Sequence, residues 1–167
     1  MKVVLAGAYG KLGSEILKAL VANGHDVVAA DMVVKDLPET EGKVKNVKVD
    51  VTDPKTLAGI CDGAEVVITT VGLTGSSTKV TNYDIDLNGN KNLLEEAKKA
   101  GVKKFNYISV IKADGDPKVP MLHAKALFEE ELKKSGISWI IYRPTGYFYD
   151  IVKVFKPMVE KGEVTLL

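Results

Sequence analysis

Gly7, Gly10 and Gly13 constrain this chain more than any other residues. They follow a short β-branched run, Val3 to Ala6, and open onto a helical pattern that begins at Lys11. A strand, a tight turn and a helix N-terminus therefore fall within about a dozen residues. Gly7 lets the strand turn sharply, Gly10 lets backbone approach a pyrophosphate, and Gly13 lets the helix pack close on the strand. The helix start offers free N–H groups and a positive dipole end to phosphates. The spacing is G-x-x-G-x-x-G, with the first two glycines one residue further apart than in G-x-G-x-x-G. One alternative is a βα turn whose glycines serve backbone geometry alone. The acid downstream, Asp31, favours a bound dinucleotide held by Gly7, Ala8, Tyr9, Gly10, Lys11, Leu12 and Gly13, with the N–H groups from Tyr9 to Leu12 on the pyrophosphate.

Strands and helices alternate along the rest of the chain. Lys2–Ala6 reads as the first strand and Lys11–Asn23 as the first helix, with Leu12, Ile16, Leu17 and Leu20 on its buried face. Gly24 ends that helix. Asp26–Asp31 reads as the second strand, 37–46 as a polar loop and Val47–Asp50 as the third strand. Thr52-Asp-Pro54 signals a short helix running to Asp62. Ala64–Val71 is a fourth strand, and 72–82 a loop rich in Gly, Ser and Thr. A long helix is expected over 83–100, a fifth strand over 104–110, and a helix over 120–135. Ile137–Tyr142 is the sixth strand, and 149–161 a helix that Pro157 should bend. Val164–Leu167 reads as one more strand or a frayed end. Near-continuous apolar strands imply a parallel sheet with helices on both faces. Right-handed crossovers then give an α/β, doubly wound Rossmann fold of order 3-2-1-4-5-6, in one domain spanning residues 1–167.

The net charge of +1, from 23 basic and 22 acidic residues, leaves no electrostatic footprint for nucleic acid or an anionic membrane. The single cysteine, Cys61, excludes an internal disulfide, and two histidines cannot build a His-rich metal site, so no metal is expected. Lys11 cuts the N-terminal apolar run short of a signal-peptide core. No run of apolar residues is long enough to span a bilayer. The expectation is a cytoplasmic protein.

Asp31 ends the second strand, 18 residues beyond Gly13, with Met32 beside it. An acid there accepts both adenosine-ribose hydroxyls and repels a 2′-phosphate, which favours NAD over NADP. Lys35 stands close enough to blunt that preference. The competing role for Asp31 is capping a loop. Asp50 and Val51 stand where the adenine edge would lie, but Asp50 and Thr52 equally suit capping of the next helix. Val71, Gly72 and Leu73 should line the crevice near the nicotinamide ribose, or Gly72 only marks a strand end.

Four segments then become specific: Gly7-Ala-Tyr-Gly-Lys-Leu-Gly13, Asp86-Leu-Asn-Gly-Asn-Lys-Asn-Leu-Leu94, Gly101-Val-Lys-Lys-Phe-Asn-Tyr-Ile-Ser109 and Ser135-Gly-Ile-Ser-Trp-Ile-Ile-Tyr-Arg-Pro144. Together they resemble the atypical short-chain dehydrogenase/reductases, in the NmrA-like and NAD(P)H-binding branch. The tail, Arg143-Pro-Thr-Gly-Tyr-Phe148 with Glu160-Lys-Gly-Glu-Val-Thr-Leu-Leu167, is similar to the divinyl-chlorophyllide-reductase-like subgroup. Members of that subgroup continue further, so the resemblance implies either a shortened chain or a minimal form with an open crevice.

The resemblance implies a tyrosine acid/base, a lysine four residues later on the nicotinamide ribose, a serine on the substrate oxygen and a relay asparagine. Lys125 matches the lysine. Met121 stands where the tyrosine is expected, Asp86 where the asparagine is expected, and Ser109 near the serine position but one residue early. A thioether cannot transfer a proton near neutral pH, so the usual carbonyl–alcohol chemistry lacks its donor. His123 has a pKa suited to the task, yet its spacing from Lys125 places it on another side of the helix. Tyr147 and Tyr149 belong near the open end of the crevice. Arg143 suits an ion pair at the sheet periphery.

The implied ligand is a nicotinamide dinucleotide, with an unidentified small-molecule substrate and, by analogy, a homodimer through the helices after the fourth and fifth strands. Three functions remain open. The first is an oxidoreductase moving hydride between nicotinamide and a small unsaturated or carbonyl compound. The second is a non-catalytic NAD(P)(H)-sensing protein, and the third a small flavin-type reductase.

Overall fold

Pairing of the first strand on both of its edges sets the architecture. β1 (Lys2–Ala6) pairs in parallel with β2 (Asp26–Asp31) on one side and β4 (Val66–Thr69) on the other. β3 (Val44–Lys48) joins β2, while β5 (Lys104–Ile108) and β6 (Ser138–Tyr142) extend the sheet beyond β4. The order is β3-β2-β1-β4-β5-β6, all parallel, as the crossover rule requires. This computed structural model describes every residue except 36, 38, 39, 41, 43, 74–78 and 164–167. The expected strand at Val164–Leu167 and the middle of the loop expected at 72–82 lie outside the described residues.

Alternating side chains of the strands feed two cores. One holds Val4, Ala6, Val28, Ala30, Val67, Phe105 and Tyr107 and is closed by α2 (Asn90–Lys99) and α3 (Pro120–Lys134). There Phe128 packs edge-on to Tyr107 at 4.6 Å between ring centres. The other core holds Leu5, Val27 and Ala29 beneath α1 (Lys11–Ala22), which contributes Leu17 and Val21. Helices lie on both faces as expected, but among the described residues α1 alone covers its side. One cross-sheet row, Leu5–Ile68–Asn106–Ile140, is buried at its α1 end and open at its β6 end. Consequently Leu12, Ile16 and Leu20 of α1 are half-buried, and the buried members of that helix are Gly13, Leu17 and Val21. A cavity of about 400 Å³ lies between Leu12 and Ile16 of α1 and Ile68, Ile108 and Tyr142 of the sheet.

Several boundaries depart from the sequence reading for local reasons. β3 starts at Val44 and stops before Val49, because an edge strand exposes Lys45 and Lys48 and shows no apolar run. The helix expected to reach Asp62 is a single 3₁₀ turn, Pro54–Leu57, capped by Asp53 accepting from the Lys55 N–H at 3.0 Å. Gly59 and Gly63, both with positive φ, turn the chain after it. β4 is shorter than expected at both ends, and β5 at its C-terminal end. The helix over 83–100 divides into a π-helical stretch, Tyr83–Gly89, and α2. α4 (Phe148–Glu160) continues past Pro157 to its end and has no buried residue.

Cys61 is fully buried. Burial first, and then the nearby carboxylates of Glu96 and Asp62, push its thiol up to about 12. Since the thiolate is the reactive form, a disulfide reagent at pH 8 should leave the native protein unlabelled. Labelling should appear only as denaturant unfolds the chain, and rapid native labelling would contradict the burial.

Candidate functional site

The turn after β1 is shaped by two glycines that admit no side chain. At Gly7, φ is +76°, and an added Cβ would stand 2.5 Å from Thr70 Oγ1. A Cβ on Gly13 would stand 1.9 Å from the Gly7 carbonyl oxygen. Gly10 differs. A Cβ there meets only the Gly7 oxygen, at 3.4 Å, so internal packing does not demand a glycine. It is exposed and forms the N-cap of α1, whose first turn carries no acidic side chain.

The backbone amides narrow the possible phosphate contacts. Gly7 and Ala8 both donate to the Ala30 carbonyl, Tyr9 to Asp31 Oδ2 at 2.8 Å, and Gly10 to the Gly7 carbonyl at 3.2 Å. Tyr9 and Gly10 are thus already engaged. The amides of Lys11, Leu12 and Gly13, which have no intrahelical acceptor in a first turn, are the ones positioned for an anion.

Asp31, at the end of β2, also accepts from the Val33 N–H at 3.3 Å. A carboxylate has about four acceptor positions, so two amides leave capacity for ribose hydroxyls. Met32 is exposed beside it. Lys35 reaches back to donate to the Tyr9 carbonyl at 2.8 Å, so a cation does stand at this edge of the turn. The Tyr9 ring is buried, and its hydroxyl hydrogen-bonds with Asn46 on β3.

Asp50 and Val51 have internal partners. Asp50 Oδ1 accepts from the Thr52 amide at 2.9 Å and the Thr52 hydroxyl at 2.7 Å, a turn ahead of the helix, whose cap is Asp53 and not Asp50 or Thr52. Val51 is buried against Gly89, where an added Cβ would lie 2.6 Å from its Cγ2.

Beyond β4 the chain passes over a buried polar seam between α3 and the π-helical stretch. Lys125 Nζ stands 2.8 Å from Asp86 Oδ1, with both residues nearly inaccessible. Asp86 Oδ2 accepts from the Leu73 N–H at 3.1 Å and from Asn82 at 3.0 Å. A Cβ on Gly72 would lie 2.8 Å from Asp86 Oδ1 and 3.1 Å from Lys125 Nζ, so glycine there lets the end of β4 pack directly against the pair. Val71 is tied to the seam through its carbonyl, which accepts from Asn90 at 3.3 Å.

Asn90 explains the wide helical turn. Its amide donates to the carbonyls of Asp86 and Ile85, and its oxygen accepts from the Thr69 hydroxyl at 2.8 Å. A π-helical stretch of this kind is a recurrent feature of functional sites. Further along the seam, Tyr83 Oη and His123 Nδ1 share a hydrogen bond at 2.9 Å. His123 and Lys125 therefore both reach the same neighbouring stretch, which helix spacing alone did not suggest. Met121, at the helix start, is exposed.

Ser109 belongs to a separate cluster. Its hydroxyl donates to Glu129 Oε1 at 2.6 Å, and the buried Glu129 carboxylate also takes Nε of Arg143 at 3.0 Å and Nη2 at 2.5 Å. Arg143 adds Asp114 at 3.0 Å. The hydrogen bond to Glu129, and then that to Asp114, hold the guanidinium pKa above its usual value. This is the peripheral ion pair expected for Arg143, with Ser109 drawn into it and away from Lys125. Tyr107, buried between the two clusters, has its phenol pushed up first by burial and then by Asp86 and Glu129, so it keeps its proton. Tyr147 and Tyr149 stack at 5.3 Å beside Lys11, which lies 4.2 Å from the Tyr149 ring centre. Sequence reasoning missed Asn90, Glu129 and the Tyr83–His123 pair. Buried polar positions on helices that also carry apolar stripes give no periodic signal.

The donor set suits a dinucleotide: an acid-free helix start behind Gly10, a carboxylate with spare acceptor capacity at β2, and an ammonium beneath Gly72. Comparison with known proteins agrees at family level. Residues 7–162 match the model of the NAD(P)H-binding family. Photosystem II assembly factor Ycf39 of Cyanophora paradoxa is 28% identical over 160 residues, which cover 91% of this chain and 47% of that protein. The uncharacterized chloroplastic protein At2g34460 of Arabidopsis thaliana is 31% identical, covering 87% of this chain and 59% of its own length. The chain thus spans about half the length of these curated relatives. Among solved structures, the oxidoreductase ylbE from Lactococcus lactis is 27% identical with a TM-score of 0.72, covering 86% of this chain and 68% of that one. The Bordetella bronchiseptica enzyme WbmG, solved with NAD, shares the fold at a TM-score of 0.81 and 19% identity, covering 99% of this chain and 61% of that one. The chain belongs to the NAD(P)H-binding family, among the atypical short-chain dehydrogenase/reductases that its motifs resemble.

Proposed function

We propose that the protein binds NAD(H) in preference to NADP(H) and works as an oxidoreductase on a small unsaturated or carbonyl compound. The observation that supports this reading is the buried Lys125–Asp86 pair packed against Gly72 at the end of β4, together with the acid-free start of α1. Lys11, Leu12 and Gly13 amides would hold the pyrophosphate, Asp31 the adenosine ribose and Lys125 the second ribose. Asp86 fixes the Lys125 ammonium in place and offsets the cost of burying it. The cofactor supplies the hydride chemistry, and the chain supplies orientation and charge. Met121 has no proton to give. The Tyr83–His123 hydrogen bond, on the same seam as Lys125, is the proton source we assign to turnover.

A second reading has its own support. The exposed thioether at 121 and the commitment of Ser109 to Glu129 remove two members of the expected catalytic set. Several relatives are named as assembly factors of photosystem II. In this reading the chain takes up the dinucleotide and acts through a partner protein without turnover. None of the described helices is long and apolar enough to cross a membrane.

Three measurements test these readings. Gly10→Ala should change stability by less than about 1 kcal/mol, as an N-cap change without a clash, while weakening NADH binding about tenfold or more. Unchanged affinity would remove the turn from the phosphate site. Asp31→Ala should raise NADPH affinity relative to NADH in paired fluorescence titrations, and a constant ratio would exclude it from the ribose site. NADH oxidation should be followed with flavins, quinones and simple carbonyls, with Tyr83→Phe beside the parent protein. Turnover that falls in the variant at constant NADH affinity supports the oxidoreductase, whereas tight binding with no acceptor oxidised supports the partner-dependent reading.

A further inference from the structure

We infer that Asp86 sets how tightly the oxidised dinucleotide binds relative to the reduced one, by cancelling the charge of Lys125 beside the second ribose. The inference rests on the cofactor reading proposed above and extends it from the nucleotide to its redox state. It starts from the acid that stands where a neutral asparagine is expected. The Asp86 carboxylate is wholly buried, and its Oδ1 lies 2.8 Å from Lys125 Nζ.

That contact is one of charge and not a directed hydrogen bond. Asp86 Oδ1 has no hydrogen-bond partner even with the ammonium so close. The other oxygen is anchored, since Oδ2 accepts from the Leu73 N–H at 3.1 Å and from Asn82 at 3.0 Å. Among the described residues Lys125 makes no directed hydrogen bond either, and its further contact is the Tyr107 ring, whose centre is 5.4 Å from Nζ. An ammonium carries three donors. Lys125 therefore meets a ribose with its charge cancelled and its donors unspent.

The surrounding groups leave this balance intact. Glu129, one turn further along α3, is matched by Arg143. Tyr107 keeps its proton, because burial first and then Asp86 and Glu129 push its phenol up. Tyr83 and His123 are bonded to each other.

The two redox states differ by one charge on the nicotinamide ring, positive when oxidised and absent when reduced. The ring is bonded to the ribose assigned to Lys125, so it lies close to whatever charge that lysine presents. A lone ammonium repels the oxidised ring. Two like charges ~8 Å apart, at an effective dielectric constant of about 20, cost more than tenfold in a binding constant. Paired with Asp86, the lysine is neutral as a unit and that cost largely disappears. The reduced ring is indifferent to the pairing.

The test is the ratio of NAD+ to NADH affinity, from calorimetric and fluorescence titrations at pH 8 and low salt. Asp86→Asn removes the negative charge with little change of shape, and should weaken NAD+ about tenfold or more relative to NADH. Lys125→Met leaves the carboxylate its Leu73 and Asn82 donors, and should move the ratio the other way while weakening both nucleotides. The double variant Asp86→Asn/Lys125→Met replaces the ion pair by neutral groups. It should return the ratio towards that of the parent although both affinities stay low, a recovery that a merely structural role would not produce. Circular dichroism identifies which variants are folded, and either single variant suffices to read the direction. NADH and NAD+ weakened equally in the single variants, or a ratio that moves the same way in both, would overturn the inference and leave the cofactor reading standing. A parent protein that binds neither nucleotide would overturn both.

Discussion

No atom larger than hydrogen fits between Gly13 and the carbonyl of Gly7, and much of the site depends on that approach. It draws the first turn of α1 down onto the end of β1, so the helix start opens above the sheet and not beside it. The same turn spends the Gly7 and Ala8 amides on Ala30 and the Tyr9 amide on Asp31. The turn is therefore bonded to β2 across its full width. A phosphate site made of backbone amides needs this rigidity, because amides that must also find their own partners cannot be held ready for a ligand.

A second constraint comes from polar groups buried where a simple helical pairing would place apolar ones. Asn90 widens the turn ahead of α2, which brings Asp86 against Lys125 and Tyr83 against His123. Glu129 meanwhile gathers Ser109 and Arg143 one turn of α3 further on. Each buried charge has an opposite charge within reach, which is the condition for keeping it there. The two clusters divide the work. One faces the strand ends where a cofactor would lie, and the other locks β5 and the end of β6 to α3.

Much of this was legible in the sequence, but unevenly. The strand–turn–helix opening, the strand order and the ends of β1 and β2 follow from hydrophobic period and glycine placement, which are local properties of a buried parallel sheet. β3 was displaced because an edge strand lacks that pattern. The helix expected after Pro54 failed because Gly59 and Gly63 adopt a left-handed conformation, which glycine permits without announcing it. Among the site residues, Asp31 and Lys125 can be placed from position along an element. The attachment of Ser109 to Glu129 cannot, since it pairs residues 20 apart whose rotamers are chosen by Arg143.

By itself the sequence determined a doubly wound sheet and a tight glycine turn at its centre, because apolar periodicity and glycine spacing act over a few residues. Tertiary structure alone decided which amides remain for a ligand, which acid holds Lys125, and which side of the sheet stays open. Those outcomes depend on neighbours distant in the chain competing for the same donors, acceptors and apolar area, and no local pattern records who wins.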